Sequence, residues 1–478
     1  MASTKTGLAA ASANVVTVKS FYRCALGICI TALLAGCGGQ PPSITPGAAT
    51  YRFSTTSKSP IAHVILVVQE NRTFNDFFAT YPGTDGTTTG IIKQNATCGI
   101  KHTHAIHLKK VPLAVVKDLD HYHQGYWRAY DDGNMDNFDA INFGDGRGPL
   151  ECAYPYQYTD PADIQPYWDL AQQYALAEHM FTTQGGTSFA AHQDLIRGST
   201  QISSSVALVN DPTGTPWGCD APAGKRTSLI TQDGRIKRDQ GPFPCSNQFP
   251  SSYNYNSLRD LLDAQNVSWK YYVLPLKKSY GGLMTAYDVI APVRYGPEWK
   301  ANISTPDTRI FDDISNGTLP AMSWLMPDKP NSDHPGGPVD NGPSWVASVV
   351  NAVGQSSYWP STAIIVVWDD WGGFYDNDPP AQHGFGGLGF RVPALIISPY
   401  AKPGYISQTN YEFGSILKYV EDNWNLGSLG TTDSTSTSIL DCFDYSQKPR
   451  AFKKIAAKYT AQYFKNRAPS GLPADDDM

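Results

Sequence analysis

Three short stretches of the chain are apolar almost without interruption: residues 61–68 (IAHVILVV), 363–368 (AIIVVW) and 392–398 (VPALIIS). A strand with one wet face alternates apolar and polar positions. A strand covered on both faces need not, and β-branched runs bounded by polar or turn residues suit a parallel sheet held between helices. Apolar residues at helical spacing lie between and after these runs. One set is Leu258, Leu261 and Leu262, ending near Trp269, and a second is Trp345, Val346, Val349, Val350 and Val353. The others are Phe413, Ile416, Leu417, Val420 and Trp424, then Phe452, Ile455, Ala456, Tyr459 and Tyr463. Strand and helix in alternation predict an α/β doubly wound fold, with a mainly parallel sheet and helices on both faces. Residues 198–253 are rich in Gly, Pro, Ser and Asp, with little periodicity, and read as a loop-rich inserted cap. No linker divides residues 59–466, which are expected to form one domain before a polar tail at 467–478.

The first residues describe an address. Lys5, Lys19 and Arg23 precede an apolar run of residues 25–35, too short for a helix of about 20 residues to span a bilayer. A basic flank, a short apolar stretch and small residues after it describe an export signal. The run ends Leu34, Ala35, Gly36, Cys37, which resembles a bacterial lipoprotein cleavage box. That resemblance implies removal of residues 1–36, lipid on the Cys37 sulfur and a tether at 37–58. The expected location is the bacterial cell envelope, lipid-anchored to a membrane surface, and otherwise the periplasm or the medium outside the cell. Of the cysteines left after Cys37, Cys219 and Cys245 flank a Gly/Pro-rich segment and are the best pair, Cys98 and Cys152 the second. Cys442 is left as a buried free thiol. Lys+Arg 37 against Asp+Glu 43 gives a net charge of −6, which argues against a nucleic-acid partner.

Ligands of open α/β sheets sit beyond the carboxyl ends of the strands. The first apolar run leads into Gln69, Glu70, Asn71 and Arg72, the second into Asp369, Asp370, Trp371, Gly372 and Gly373. Two strands thus deliver three carboxylates and an amide to one edge. Carboxylates held together repel unless a cation or proton lies among them. Oxygen-rich sets suit hard divalent metals, so Glu70, Asn71, Asp369 and Asp370 are candidate ligands of one divalent ion. Residues 184–193 (QGGTSFAAHQ) place glycines before two hydroxyls and a helical stretch, which suits an exposed nucleophile near helix-start amides. It is not a G-x-S-x-G elbow, and a Ser or Thr helix cap explains the segment equally well. His121 and His334 each lie beside an Asp in sequence and are candidates for proton transfer. Residues 384–389 (GFGGLG) match G-x-G-x-x-G, but they precede a strand instead of following one, so they read as a loop.

Several ordered motifs together resemble the bacterial phosphoesterase family of phospholipases C and acid phosphatases, within the alkaline-phosphatase/sulfatase-like superfamily. The strongest are residues 63–78 (HVILVVQENRTFNDFF), 368–376 (WDDWGGFYD) and 391–402 (RVPALIISPYAK). Residues 118–121 (DLDH), 133–138 (GNMDNF), 332–335 (SDHP) and 443–450 (FDYSQKPR) support them. The resemblance implies hydrolysis of a phosphate ester, from a phospholipid or a phosphomonoester. It implies metal on Glu70, Asn71, Asp369 and Asp370, a nucleophile at Ser188 with Thr187 as runner-up, and phosphate contact or leaving-group protonation by His121 and His334. The chain departs from the family at Gly186, Thr187 and Ser188, where Gly-Pro-Ser/Thr is common. It departs again at Asn377 and near residues 408–410, where the family often carries histidines. Those losses motivate the alternative of a non-catalytic surface lipoprotein that binds phosphorylated ligands. The Cys-x-Pro-x-Arg nucleophile of sulfatases is absent.

Overall fold

A computed structural model describes residues 59–115, 117–144, 146–275, 284–337 and 340–472. The leader, Cys37 and the tether up to residue 58 lie outside the described residues.

Eight strands build the central sheet. In chain order they are β1 His63–Gln69, β2 Ala175–Ala177, β3 Trp269–Tyr272, β4 Ile303–Ser304, β5 Met322–Leu325, β6 Thr362–Trp368, β7 Ala394–Ile397 and β8 Tyr405–Ser407. They lie side by side as β4-β3-β5-β1-β6-β7-β2-β8. The apolar runs at 61–68 and 363–368 become β1 and β6, paired in parallel at the middle, with Leu66 opposite Ile365 on one side and Trp324 on the other. Consecutive side chains of a strand point to opposite faces. Val64 to Val68 and Ala363 to Trp368 are all fully buried, so both faces of the sheet are covered, as the absence of alternation requires. The sheet is therefore mixed α/β and mainly parallel.

The third apolar run forms β7, and it is antiparallel to both its neighbours. The other strands share one direction. The amino end of β7 thus meets the carboxyl ends of the rest, and Arg391 arrives at that edge. There its guanidinium, wholly buried, pairs with Asp376 at 2.9 Å and Asp85 at 2.6 Å.

The helices that matter to the site and its supports are α1 Phe74–Phe78, α2 His123–Tyr130, α3 Gln165–Gln173, α4 Ser188–Arg197, α5 Leu258–Ala264, α6 Gly342–Gly354 and α7 Phe413–Trp424. Three of the helical spacings hold, in α5, α6 and α7. Trp269 opens β3 and does not close α5. The fourth spacing fails: residues 451–459 are not helical, and a helix forms only at Ala461–Asn466. The reason lies in α6. Asn351 donates to the Ile455 carbonyl and accepts from its amide, while Ser344 accepts from the amides of Lys458 and Tyr459. Side chains of a neighbouring helix satisfy the backbone that a helix of its own would have satisfied.

Within residues 198–253, Val206–Val209, Ser228–Thr231 and Ile236–Lys237 form a small antiparallel sheet. Disulfides join Cys219 to Cys245 and Cys98 to Cys152, and Cys442 is buried and free. No helix among the described residues is long and apolar enough to cross a membrane.

Candidate active site

The site forms where β1 and β6 end. Glu70 and Asn71 follow β1, and Asp369 and Asp370 follow β6; all four are buried. Asn71 sits at φ 57, and its amide donates to Asp369 Oδ1 at 3.1 Å. The turn after Asp370 must pass close beneath. A Cβ on Gly372 would lie 2.2 Å from the Asn71 carbonyl oxygen, and the φ of 58 there is left-handed, so glycine is required.

A second element brings the hydroxyls. The turn 184–187 leads into α4, whose first residue is Ser188. Ser188 Oγ lies 3.3 Å from Asp370 Oδ2, 3.4 Å from Glu70 Oε2 and 3.5 Å from Asn71 Oδ1. Thr187 points elsewhere. Its hydroxyl donates to Asp211 Oδ1 at 2.6 Å, and the same oxygen accepts from the Phe189 amide. One helical turn past Ser188, His192 faces the same cluster, with Nε2 3.2 Å from Glu70 Oε1 and 3.5 Å from Asp369 Oδ2. Burial alone would raise the Asp369 carboxyl, but His192, Glu70 and Ser188 hold it below its ordinary value.

His121 and His334 close the site from two loops. Their Nε2 atoms lie 3.2 and 3.1 Å from the Asn71 amide. Each Nδ1 faces a carbonyl oxygen, Leu119 at 2.7 Å and Pro335 at 2.6 Å, and therefore carries a proton. His121 Nε2 also stands 3.7 Å from Asp370 Oδ2.

Asn71 tests whether a cation fits. In one orientation its amide oxygen lies 3.2 Å from Glu70 Oε2 and 3.0 Å from Asp369 Oδ1, so acceptors face acceptors. Reversed, the amide donates to both carboxylates and accepts from both histidines. The second orientation satisfies the carboxylates but asks for an N–H on both Nε2 atoms, whereas the first lets each Nε2 accept from the amide while Nδ1 donates to its carbonyl. A cation among the carboxylates would make the first favourable. Asp369 Oδ2 and His192 Nδ1 make no hydrogen bond although both are buried. Ligating atoms of Glu70, His192 and Asp369 all lie within 4.8 Å of one another, a spacing that a divalent ion can bridge.

The structure therefore brings together Glu70, Asn71, Asp369, Asp370, Ser188, His121 and His334, and turns Thr187 away. His192 is a candidate ligand that sequence reasoning did not single out. Its spacing of four from Ser188 on one helix was the available signal. A buried carboxylate beneath the site was missed as well. Asp333 Oδ2 accepts from Tyr167 at 2.6 Å, Gln69 at 3.2 Å and Trp368 at 3.2 Å.

Residues 61–427 match the model of the Phosphoesterase family. The chain is 24% identical over 449 residues to Phospholipase C B of Mycobacterium tuberculosis, spanning 82% of this chain and 79% of that protein. It is 22% identical to Non-specific phospholipase C3 of Arabidopsis thaliana, spanning 83% and 75%. Among solved structures it is similar, at 12% identity and a TM-score of 0.36, to an alkaline phosphatase superfamily protein from Vibrio parahaemolyticus, over 81% of this chain and 73% of that one. The chain belongs to the phosphoesterase family and is a hydrolase acting on phosphoric ester bonds.

Proposed function

We propose that this protein is an exported, metal-assisted phosphoesterase with Ser188 as its nucleophile. The observation that carries the proposal is the position of Ser188 Oγ, 3.3 to 3.5 Å from Glu70, Asn71 and Asp370, while the Thr187 hydroxyl is committed to Asp211. A divalent ion held by Glu70, Asn71, Asp369, Asp370 and His192 would supply the positive charge that favours an ionised nucleophile and offsets the phosphate.

The residues of the chain do the rest. Ser188 Oγ gives its proton to the carboxylate of Asp370 or Glu70 and attacks phosphorus. The bond from phosphorus to the alcohol oxygen breaks as the Oγ–P bond forms. His121 or His334, when its ring carries a proton on Nε2 as well as on Nδ1, donates Nε2–H to the departing alkoxide, and the alcohol leaves. Water then attacks the phosphoserine and loses a proton to the same histidine, while the Oγ–P bond breaks and Ser188 takes its proton back from the carboxylate, which frees phosphate and restores the site. Burial of the whole set excludes bulk water, which strengthens each of these charge interactions.

Export and lipid anchoring at Cys37 belong to the proposal. Two disulfides support an oxidising compartment. The substrate at this level is a phosphate ester, and the phospholipase C names of the relatives put phosphatidylcholine on the panel beside soluble esters. Ser188→Ala is expected to lower turnover of a chromogenic phosphomonoester and phosphodiester by a factor on the order of 1,000 or more, with Thr187→Ala retaining most activity. Chelator is expected to abolish turnover and a divalent ion to restore it. Full activity of Ser188→Ala, or the loss falling on Thr187→Ala alone, sinks the assignment.

A further inference from the structure

Two cavities of about 490 and 390 Å³ adjoin beside α2 and share His123, Trp127 and Gly234. They lie outside the buried nest around Ser188 but are tied to it. Asp120 and Tyr122 line the first cavity, and His121, between them, faces Asn71 and Asp370. The His123 ring donates from Nδ1 to the Gly185 carbonyl, three residues before Ser188. The His123 amide donates to Asn210 Oδ1, and the next residue, Asp211, holds Thr187. The groove wall and the nucleophile turn are one hydrogen-bonded unit.

The far walls come from the small sheet at 228–237 and from the glycine loop at 384–387. That loop lies directly on His123: a Cβ on Gly386 would come within 2.6 Å of its ring. The G-x-G-x-x-G match is therefore a groove wall.

The lining mixes aromatic rings with polar side chains. Trp127 is 47% exposed and lines both cavities, its indole near-parallel to His123 at 6.3 Å and tilted against Tyr130 at 5.5 Å, so the exposed part of the ring is offered to the groove. Gln232 and Asp233 line the second cavity, held by bonds to Ser204, Thr231 and Arg235, and Arg238 brings a guanidinium to the first. Among the described lining residues Ile236 is the one aliphatic side chain. Acyl chains ask for contiguous apolar surface, which this lining does not offer. An indole face rimmed by amides, a carboxylate and a guanidinium suits a flat polar ring that carries its own donors and acceptors.

We infer that this groove holds the alcohol part of a soluble phosphate ester, a polar ring stacked on Trp127 beside Arg238, as in a sugar phosphate or a nucleotide. The inference rests on the phosphoesterase reading above and names its substrate class. Two experiments separate them. In the first, kcat/KM is measured for adenosine 5′-monophosphate, glucose 6-phosphate, ethyl phosphate and phosphatidylcholine vesicles, with the wild-type protein, Trp127→Ala and Arg238→Gln. The wild-type protein is expected to prefer one of the two ring esters over ethyl phosphate by at least about tenfold, and the better ring names the source. Trp127→Ala and Arg238→Gln are each expected to lower that ring-to-ethyl ratio, through KM. In the second, calorimetric binding of the preferred ring ester to Ser188→Ala is compared with binding to Ser188→Ala/Trp127→Ala. An affinity at least about fivefold weaker in the double variant supports the groove whatever the nucleophile proves to be. Preference for vesicles, an unchanged ring-to-ethyl ratio in both groove variants, or equal binding by the two calorimetric samples overturns it.

Discussion

Asp333 lies under the chemistry without entering it. Its carboxylate accepts from Gln69 and Trp368, the residues just before Glu70 and Asp369, and the residue after it is His334. The Arg72 guanidinium donates to its carbonyl oxygen at 3.0 Å. One buried side chain therefore fixes the ends of two strands and the loop that carries a histidine. Burial raises its carboxyl to about 6, against the pull of Tyr167 and Arg72, so it is largely ionised at neutral pH. All three donors converge on Oδ2 while Oδ1 has no hydrogen-bond partner, so asparagine would lose the charge and place an unpaired buried NH2 at the Oδ1 position, which costs about 1–3 kcal/mol. Asp333→Asn is expected to lower the thermal midpoint and to reduce kcat at least about tenfold at pH 7.5, with a smaller change in KM. A variant with the lowered midpoint but wild-type kcat would confine Asp333 to folding.

At the scale of elements, the turn before α4 is the piece with least freedom. Gly185 packs against Tyr126, and a Cβ there would come within 2.2 Å of the ring. The ring cannot yield easily, because its hydroxyl is tied to the Leu388 carbonyl and Gln382. Gly185→Ala should push the turn, and Ser188 with it, by a fraction of an ångström. Misplacement on that scale is expected to lower kcat by about ten- to a hundredfold. Adding Tyr126→Ala removes the obstruction and should recover part of the loss, measured as a double-mutant cycle in kcat.

The same scale explains what could be read in advance. The positions of β1 and β6, and the carboxylates at their ends, were legible because a strand buried on both faces leaves an unbroken apolar run. The direction of β7 was not, because burial constrains side chains and says nothing of chain polarity. The helical spacing at Phe452, Ile455, Ala456 and Tyr459 misled, because Ser344 and Asn351 of α6 offered its backbone another set of partners. The Thr187–Asp211 bond joins residues whose pairing no local pattern announces.

Across the whole molecule, several carboxyls are enclosed with too little positive charge. Burial pushes Asp288 up to about 7, helped by Asp220, and Asp307 up to about 7, helped by Asp328. Burial and Asp433 push Glu421 up to about 8. Their unfolded values lie near 4. Between those values the folded chain binds more protons than the unfolded one, so stability falls as pH rises. The contribution is complete below about pH 4 and is lost on passing pH 7 to 8. Carboxyls held low, such as Asp313 and Asp433, act at the acid end and add no slope above pH 5. The thermal midpoint is expected to fall steadily from pH 5.5 to pH 8, and less steeply in Glu421→Gln. A midpoint that rises over that range contradicts the assignment.

The reversed direction of β7 has a consequence for how this molecule can change. The connection that leaves β6 with Asp369 and Asp370 returns to the same edge to enter β7. The segment at 384–389 is the later part of that connection, anchored downstream by Arg391 on Asp376 and Asp85. Its tip at residues 384–387 can change while Glu70, Asp369 and Asp370 stay where they are, provided that the Leu388 carbonyl keeps its bond from Tyr126. A lineage of such proteins could exchange one recognition wall for another as a cassette, with the hydrolytic apparatus inherited intact.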